Sequence, residues 1–182
     1  MGAEVVPDEL ALVTDLLNTK EADDDIEELA EPADLARWFA ARGLLDEGEA
    51  VTQAELERTI ELREALRSYV RDHHGSGVAP RALRTINANA EMLPYRLTFG
   101  EDGAVSFVPA ASGVDAALAE VLAGIPIALS TGSWNRLKVC ADDACQWAFY
   151  DGSKNRSKRW CSMRSCGNKN KTRAYRERKK TD

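Results

Sequence analysis

Histidine and long apolar stretches are scarce in this chain, and each scarcity closes off a class of function. Only His73 and His74 occur. They precede Gly75-Ser76-Gly77, a flexible connection where an exposed loop role is favoured over catalysis or metal binding. The longest apolar run, Val121 to Leu129, is interrupted by Pro126 and falls far short of the ~20 residues of a membrane-spanning helix. No membrane role is expected. The opening Met1-Gly2-Ala3-Glu4 has no basic segment followed by an apolar one, so the cytoplasm is the expected location. Glycine-rich phosphate loops, nucleophile elbows and helical HExxH patterns are missing as well. Carboxylates abound, yet no two stand out as an acid and base pair.

Cysteine occurs four times, always between positions 140 and 166, spaced C-x4-C-x15-C-x4-C. In a reducing compartment such a cluster holds metal in preference to two disulfides, and the redox spacing C-x-x-C beside a βαβ pattern does not occur. Cys140, Cys145, Cys161 and Cys166 are therefore the expected ligands of one structural Zn2+, an ion that prefers four soft ligands in a tetrahedron. Four protein thiolates leave no position for water, so no enzyme activity is expected. The five-residue step from Cys161 to Cys166 separates them by roughly 140° on an ideal helix. Cys161 should precede the last helix, and Cys166 should lie in its first turn or in the knuckle leading to it. Trp147, Phe149 and Tyr150, the turn Asp151-Gly152-Ser153 and the returning Trp160 read as a short hairpin. Its aromatics form a miniature core sooner than a base-stacking platform.

The net charge of −6 conceals a division: residues 152–182 hold twelve Lys/Arg against two acids, or +10, leaving −16 for the preceding 151 residues. A basic tail on an acidic body points to a polyanionic partner. Lys169, Arg173, Arg176 and Lys180 share one stripe of a terminal helix, Lys171 and Arg178 an adjacent one, and only Ala174 and Tyr175 are left to face a core. With so little to bury, that helix must be held by its attachment to the metal knuckle. Lys154, Arg156, Lys158, Arg159, Arg164, Lys169, Lys171, Arg173, Arg176 and Arg178 are the candidate nucleic-acid contacts.

The chain is 44% hydrophobic, enough apolar content for a core, and its body reads as mainly helical. Leu10, Val13, Leu16 and Leu17 recur at helical spacing after Pro7-Asp8. A second helix runs from Pro32 through Leu35, Trp38 and Phe39 to Gly43. Between them, Glu21 to Glu31 holds seven acids and no base, and reads as a solvated loop or exposed helical turn. Thr52-Gln53-Ala54-Glu55 is a capping box ahead of the longest helix, with Leu56, Ile60, Leu62, Leu66, Tyr69 and Val70 as its stripe. Pro80 opens a helix carrying Leu83, Ile86 and Ala90 and closed by Pro94. Tyr95 to Phe99 and Val105 to Val108 flank a turn and predict a β-hairpin near 95–108. A last body helix carries Leu118, Val121, Leu122 and Ile125 from about Val114 to the Pro126 region. Gly132-Ser133 is the best boundary, giving a helical domain over 1–132 and a four-cysteine finger with a basic helix over 133–182. The fold class is mainly α with a small β-hairpin and a C-terminal zinc finger.

The segment from Arg156-Ser157-Lys158-Arg159-Trp160-Cys161 through Cys166-Gly167-Asn168-Lys169 resembles the CGNR zinc-finger family. These are bacterial proteins whose finger follows a helical ABATE domain. Asp15-Leu16-Leu17-Asn18-Thr19, Leu35-Ala36-Arg37-Trp38 and Gly43-Leu44-Leu45 are similar to that domain's motifs, so the likeness covers nearly the whole chain. The resemblance implies a stress-responsive transcription regulator whose finger binds DNA. The family's name-giving arginine is Lys169 here, which keeps the charge but not the bidentate guanidinium. The competing expectation is an adaptor whose finger and helical domain bind RNA or protein. Homodimerisation and an unidentified small-molecule ligand of the helical domain are compatible with this reading, and the sequence demands neither.

Overall fold

Helix α1 (Asp8–Leu17) turns Leu10, Val13, Leu16 and Leu17 to one side, and all four are fully buried. Each such burial contributes roughly 1.5–3 kcal/mol. The computed structural model describes residues 5–23, 25–72, 77 and 79–181, with side chains through residue 179. The reading of His73 and His74 lies outside the described residues.

α2 (Pro32–Ala40) begins with proline in its first turn and buries Leu35, Trp38 and Phe39. α3 (Gln53–Asp72) is closed at its start by the capping box. The Thr52 N–H donates to Glu55 Oε2 at 2.7 Å, and the Glu55 N–H donates to Thr52 Oγ1 at 3.3 Å. Its buried face includes Leu56, Leu62, Leu66 and Val70, together with two arginines, Arg63 and Arg67. α4 (Pro80–Glu91) lies against α3. It buries Ala82 and Asn89, while the expected Leu83 and Ala90 are exposed.

α5 (Gly113–Thr131) corrects a sequence expectation, since it continues through Pro126 rather than stopping there. Pro126 is exposed, and Ala128 beyond it is fully buried, so tertiary packing carries the helix past a residue that costs it a hydrogen bond. By length and composition α5 is long and apolar enough to cross a membrane. In this fold it is a core helix, burying Val114, Ala117, Leu118, Ala119 and Val121, pairing Asp115 with Arg58 and accepting the Tyr95 hydroxyl at Ala119 O. Gly124 lies directly against α1, where a Cβ would lie 1.8 Å from Glu9 O.

The described strands form three separate antiparallel pairs. β3 (Tyr95–Phe99) and β4 (Val105–Pro109) are in the register Leu97 opposite Phe107 and Phe99 opposite Val105. β1 (Lys20–Glu21) and β2 (Ile26–Glu27) form a hairpin inside the acidic segment expected to be a loop or helical turn. That segment is not merely solvated. Leu29 is buried, and Glu27 reaches the 1% exposed Arg63 through bonds of 2.6 and 2.7 Å. Burial works against both charges, and their mutual bonding outweighs it, so Glu27 stays below the usual carboxylate range and Arg63 above its own.

β5 (Leu137–Val139) and β6 (Ala148–Tyr150) lie beyond Gly132-Ser133. Trp134, Leu137, Val139 and Ala148 nevertheless belong to the same buried cluster as α1, α3 and α5. One core therefore crosses that point of the chain.

Candidate metal centre

The β5–β6 hairpin holds the first cysteine pair in its loop. The Cys140 N–H donates to Trp147 O at 2.8 Å, and the N–H groups of Cys145 and Gln146 both reach Asp142 O, at 2.9 and 3.1 Å. Gln146 adopts φ 52°, closing the knuckle. The hairpin expected between the two cysteine pairs is thus replaced. The aromatic strand turns back onto residues 137–139, because alternating Leu137 and Val139 supply it with a buried partner face.

The second pair follows a loop organised by Asp151, whose side chain is fully buried. Its carboxylate accepts from Lys138 Nζ at 2.7 Å, from the Ser153 hydroxyl and N–H, and from the Lys158 N–H at 2.9 Å. Burial opposes its charge, but these donors outweigh burial and hold the carboxyl down to about 2. The Ala141 N–H donates to Arg159 O at 2.9 Å and ties the two halves together. Ser162 then caps a single π-helical turn, Met163–Gly167, by accepting from the Arg164 and Ser165 N–H groups. Cys161 precedes this turn and Cys166 lies within it. Gly167 packs under Met163, whose side chain would have to shift to admit a Cβ, 2.7 Å from Sδ.

All four Sγ atoms lie within 4.8 Å of one another. Cys145 to Cys161 and Cys161 to Cys166 are both 3.7 Å, against about 3.8 Å for tetrahedral sulfurs bound at about 2.3 Å, and far beyond the ~2.05 Å of a disulfide. The donor set therefore fits a tetrahedral thiophilic ion. Left to one another, these thiols cannot all ionise. A hydrogen bond from Cys161 holds Cys140 down to about 5, burial pushes Cys145 up to about 12, and the hydrogen bond to Cys140, with burial, pushes Cys161 up. A divalent cation removes that conflict, because it stabilises all four thiolates together.

Among the described residues, three body side chains bond to this part of the chain. Asn18 acts as a third strand on β6: its Nδ2 donates to Ala148 O at 3.0 Å and its Oδ1 accepts from Ala148 N–H at 2.8 Å. Arg67, 4% exposed, donates to Gln146 O inside the knuckle at 2.9 Å and to Leu17 O at 2.5 Å. Asp23 pairs with Lys169 at 3.0 Å. The motif Asp15 to Thr19 is thereby explained by contacts: Asp15 holds Arg42, Asn18 holds the finger, and Thr19 accepts from Arg63. Sequence reasoning gives Asn18, Arg67, Asp142 and Asp151 no part in the site. Of these, Asn18 carries a signal by its place in the Asp15 to Thr19 motif, and Asp151 by its place in the turn between the cysteine pairs.

α6 (Asn168–Thr181) leaves the metal end of the molecule. Its first turn is fastened by Asn170, which donates to Asp142 Oδ2 at 2.8 Å and to Cys166 O at 2.9 Å. Ala174 and Tyr175, the two positions left to face a core, are both exposed, and no described side chain of α6 is buried. Arg164, Lys169, Arg173 and Arg176 line one groove along it, with Lys171 and Arg178 exposed elsewhere on the helix. Arg173 also donates to Asn170 Oδ1 at 2.6 Å. Before the helix, Lys154, Arg156 and Arg159 are exposed and Lys158 is half-buried, and the Arg159 guanidinium lies 5.5 Å from the Trp160 ring centroid. The candidate cations thus fall into two groups, one along α6 and one on the loop before it.

A tetrathiol cluster at the root of an exposed basic helix, built onto a mainly helical body, defines a metal-binding protein of the zinc-finger class. The chain belongs to the ABATE family, described as "Putative stress-induced transcription regulator", whose model matches residues 10–143. The CGNR zinc finger model matches residues 136–179. The two matches overlap through Cys140, as the shared core does. No curated protein matches the chain.

Proposed function

We propose that the protein is a zinc-dependent DNA-binding transcription regulator, in which one structural Zn2+ presents α6 and the preceding loop to the phosphate backbone. The observation that carries this reading is that α6 buries no described side chain and is fastened at its metal end, while Arg164, Lys169, Arg173 and Arg176 share one groove. An exposed helix with so many like charges gains little from burial, and a polyanion supplies counter-charge beyond what Asp23 and Glu177 provide. The family description supports a regulatory role. The four-thiolate donor set supports zinc in a structural capacity, because it leaves no coordination position for a reacting water; we therefore assign no enzymatic role.

Fluorescence anisotropy with duplex DNA, against salt and with metal content measured on the same sample, tests the proposal. Contact with four to six phosphates gives a log K against log salt slope of roughly −4 to −5. Absence of binding at low salt, or binding indifferent to salt, refutes it. A second reading, an adaptor for a protein partner, is favoured by the β3–β4 face. There Leu97, Phe99, Val105 and Phe107 stand together and are half to three-quarters exposed. Competition among duplex DNA, structured RNA and heparin, alongside sizing of the protein in solution, separates the two.

A further inference from the structure

A second cationic groove lies apart from the face of α6. It has a volume of about 410 Å³ and is bounded by the last turn of α3, by β5 and the first knuckle, and by the loop before Cys161. Its charged lining is Arg71, Lys138, Arg156, Lys158 and Arg159, with no acid among the lining residues. Lys138 is spent internally, on Asp151 and on the carbonyls of Arg156 and Lys158 at 2.6 and 3.1 Å. Those bonds do two things. They neutralise Lys138, and they pin the loop's main chain so that Arg156 and Arg159 project from a rigid frame. Arg156 adopts φ 50°, in the left-handed region, and the stacking of Arg159 near Trp160 further limits its freedom. Cations held in place lose little entropy on meeting an anion.

Arg71 comes from the other side, from a body that is strongly acidic overall. Its side chain is 45% exposed, and its ion pair to Asp72 is a loose one at 3.8 Å. Bringing an arginine of an acidic domain up to a basic loop costs repulsion in the free protein, and a bound phosphate reverses that cost.

We propose that this groove is a second phosphate-binding surface for nucleic acid, and that Arg71 of the helical body contacts the backbone together with Arg156 and Arg159. The inference rests on the DNA-binding reading above and extends it. The polyanion is gripped by body and finger at once, so the body has a direct part in binding.

The test uses the full chain loaded with zinc, and measures duplex affinity by anisotropy between about 50 and 200 mM salt. Arg71→Gln is expected to lower affinity about threefold at the low-salt end and to make the salt slope shallower by about one, with Arg71→Lys restoring most of the loss. Arg84→Gln, an exposed arginine of α4 outside the groove, is expected to change neither. Arg71 is exposed, so an unaltered melting temperature verifies that the variant folds. If Arg71→Gln behaves like Arg84→Gln while Arg173→Glu/Arg176→Glu loses binding, the second surface is refuted and the DNA-binding reading stands. If the wild type does not bind at low salt, the DNA-binding reading falls and this inference with it; if Arg173→Glu/Arg176→Glu binds as well as the wild type, the part given to α6 in that reading is refuted. A groove that takes only small anions is also distinguishable: inorganic phosphate, at constant ionic strength, then protects Arg71 from modification while duplex DNA does not, and this outcome too refutes the proposal.

Discussion

Replacing Asn18 by alanine should weaken metal binding at cysteines more than 120 residues away in sequence. The side chain makes two bonds to the main chain of Ala148, a residue 1% exposed, so its loss strands a buried N–H and a buried C=O. Each orphaned group costs about 1–3 kcal/mol, giving about 2–6 kcal/mol in all. β6 follows Cys145 closely, and Arg67 holds Gln146 between them, so part of this cost falls on the knuckle geometry. If about 2 kcal/mol is felt at the metal, Zn2+ affinity drops about 30-fold. By reciprocity, the melting temperature gained on metal loading shrinks in the variant by the matching free energy. Competition with a chromophoric chelator measures the first quantity, and thermal melts of apo and loaded protein the second. A variant that melts early yet binds Zn2+ as tightly as wild type would refute the coupling and show that the finger forms on its own.

Four further outcomes rest on the same set of contacts. Cys161→Ser should release the metal and also lower the melting temperature of the helical body, because Trp134, Leu137, Val139 and Ala148 lie in the body's core; a body transition unmoved in circular dichroism counts against the shared core. Glu27→Ala leaves Arg63 charged and short of its main partner at 1% exposure, which should cost about 3–5 kcal/mol in urea unfolding, and a loss under about 1 kcal/mol would show that Glu64 or water replaces it. Gly124→Ala forces α1 and α5 apart, since its Cβ would lie 1.8 Å from Glu9 O, and a destabilisation of about 1–3 kcal/mol is expected in the same assay. Asp23→Asn frees Lys169, so DNA affinity at low salt should rise about twofold, as suits an exposed pair; an unchanged or lower affinity would exclude competition between the acidic hairpin and DNA.

The elements read best from sequence are those whose signals are local. The apolar spacing of Leu10 to Leu17, the Thr52/Glu55 capping box and the turn between Phe99 and Val105 each specify their structure within a few residues. The failures share a cause. α5 passes Pro126 because Ala128 is buried on the far side, β6 pairs backward because Leu137 and Val139 already face the core, and the acidic segment folds into a hairpin because Glu27 has Arg63 to meet. Tertiary partners decide all three.

The cysteine set was legible from sequence alone, because thiolates are the donors a thiophilic ion prefers and four cysteines so closely spaced in the chain read as one ligand set. The charge division between body and tail was legible too, being a property of composition. Only the tertiary structure decided that the finger is built into the body rather than appended to it. Asn18 meets Ala148 across 130 positions and Arg67 meets Gln146 across 79. Such pairs are matched by where packed helices bring them, and nothing in the spacing of the chain records that.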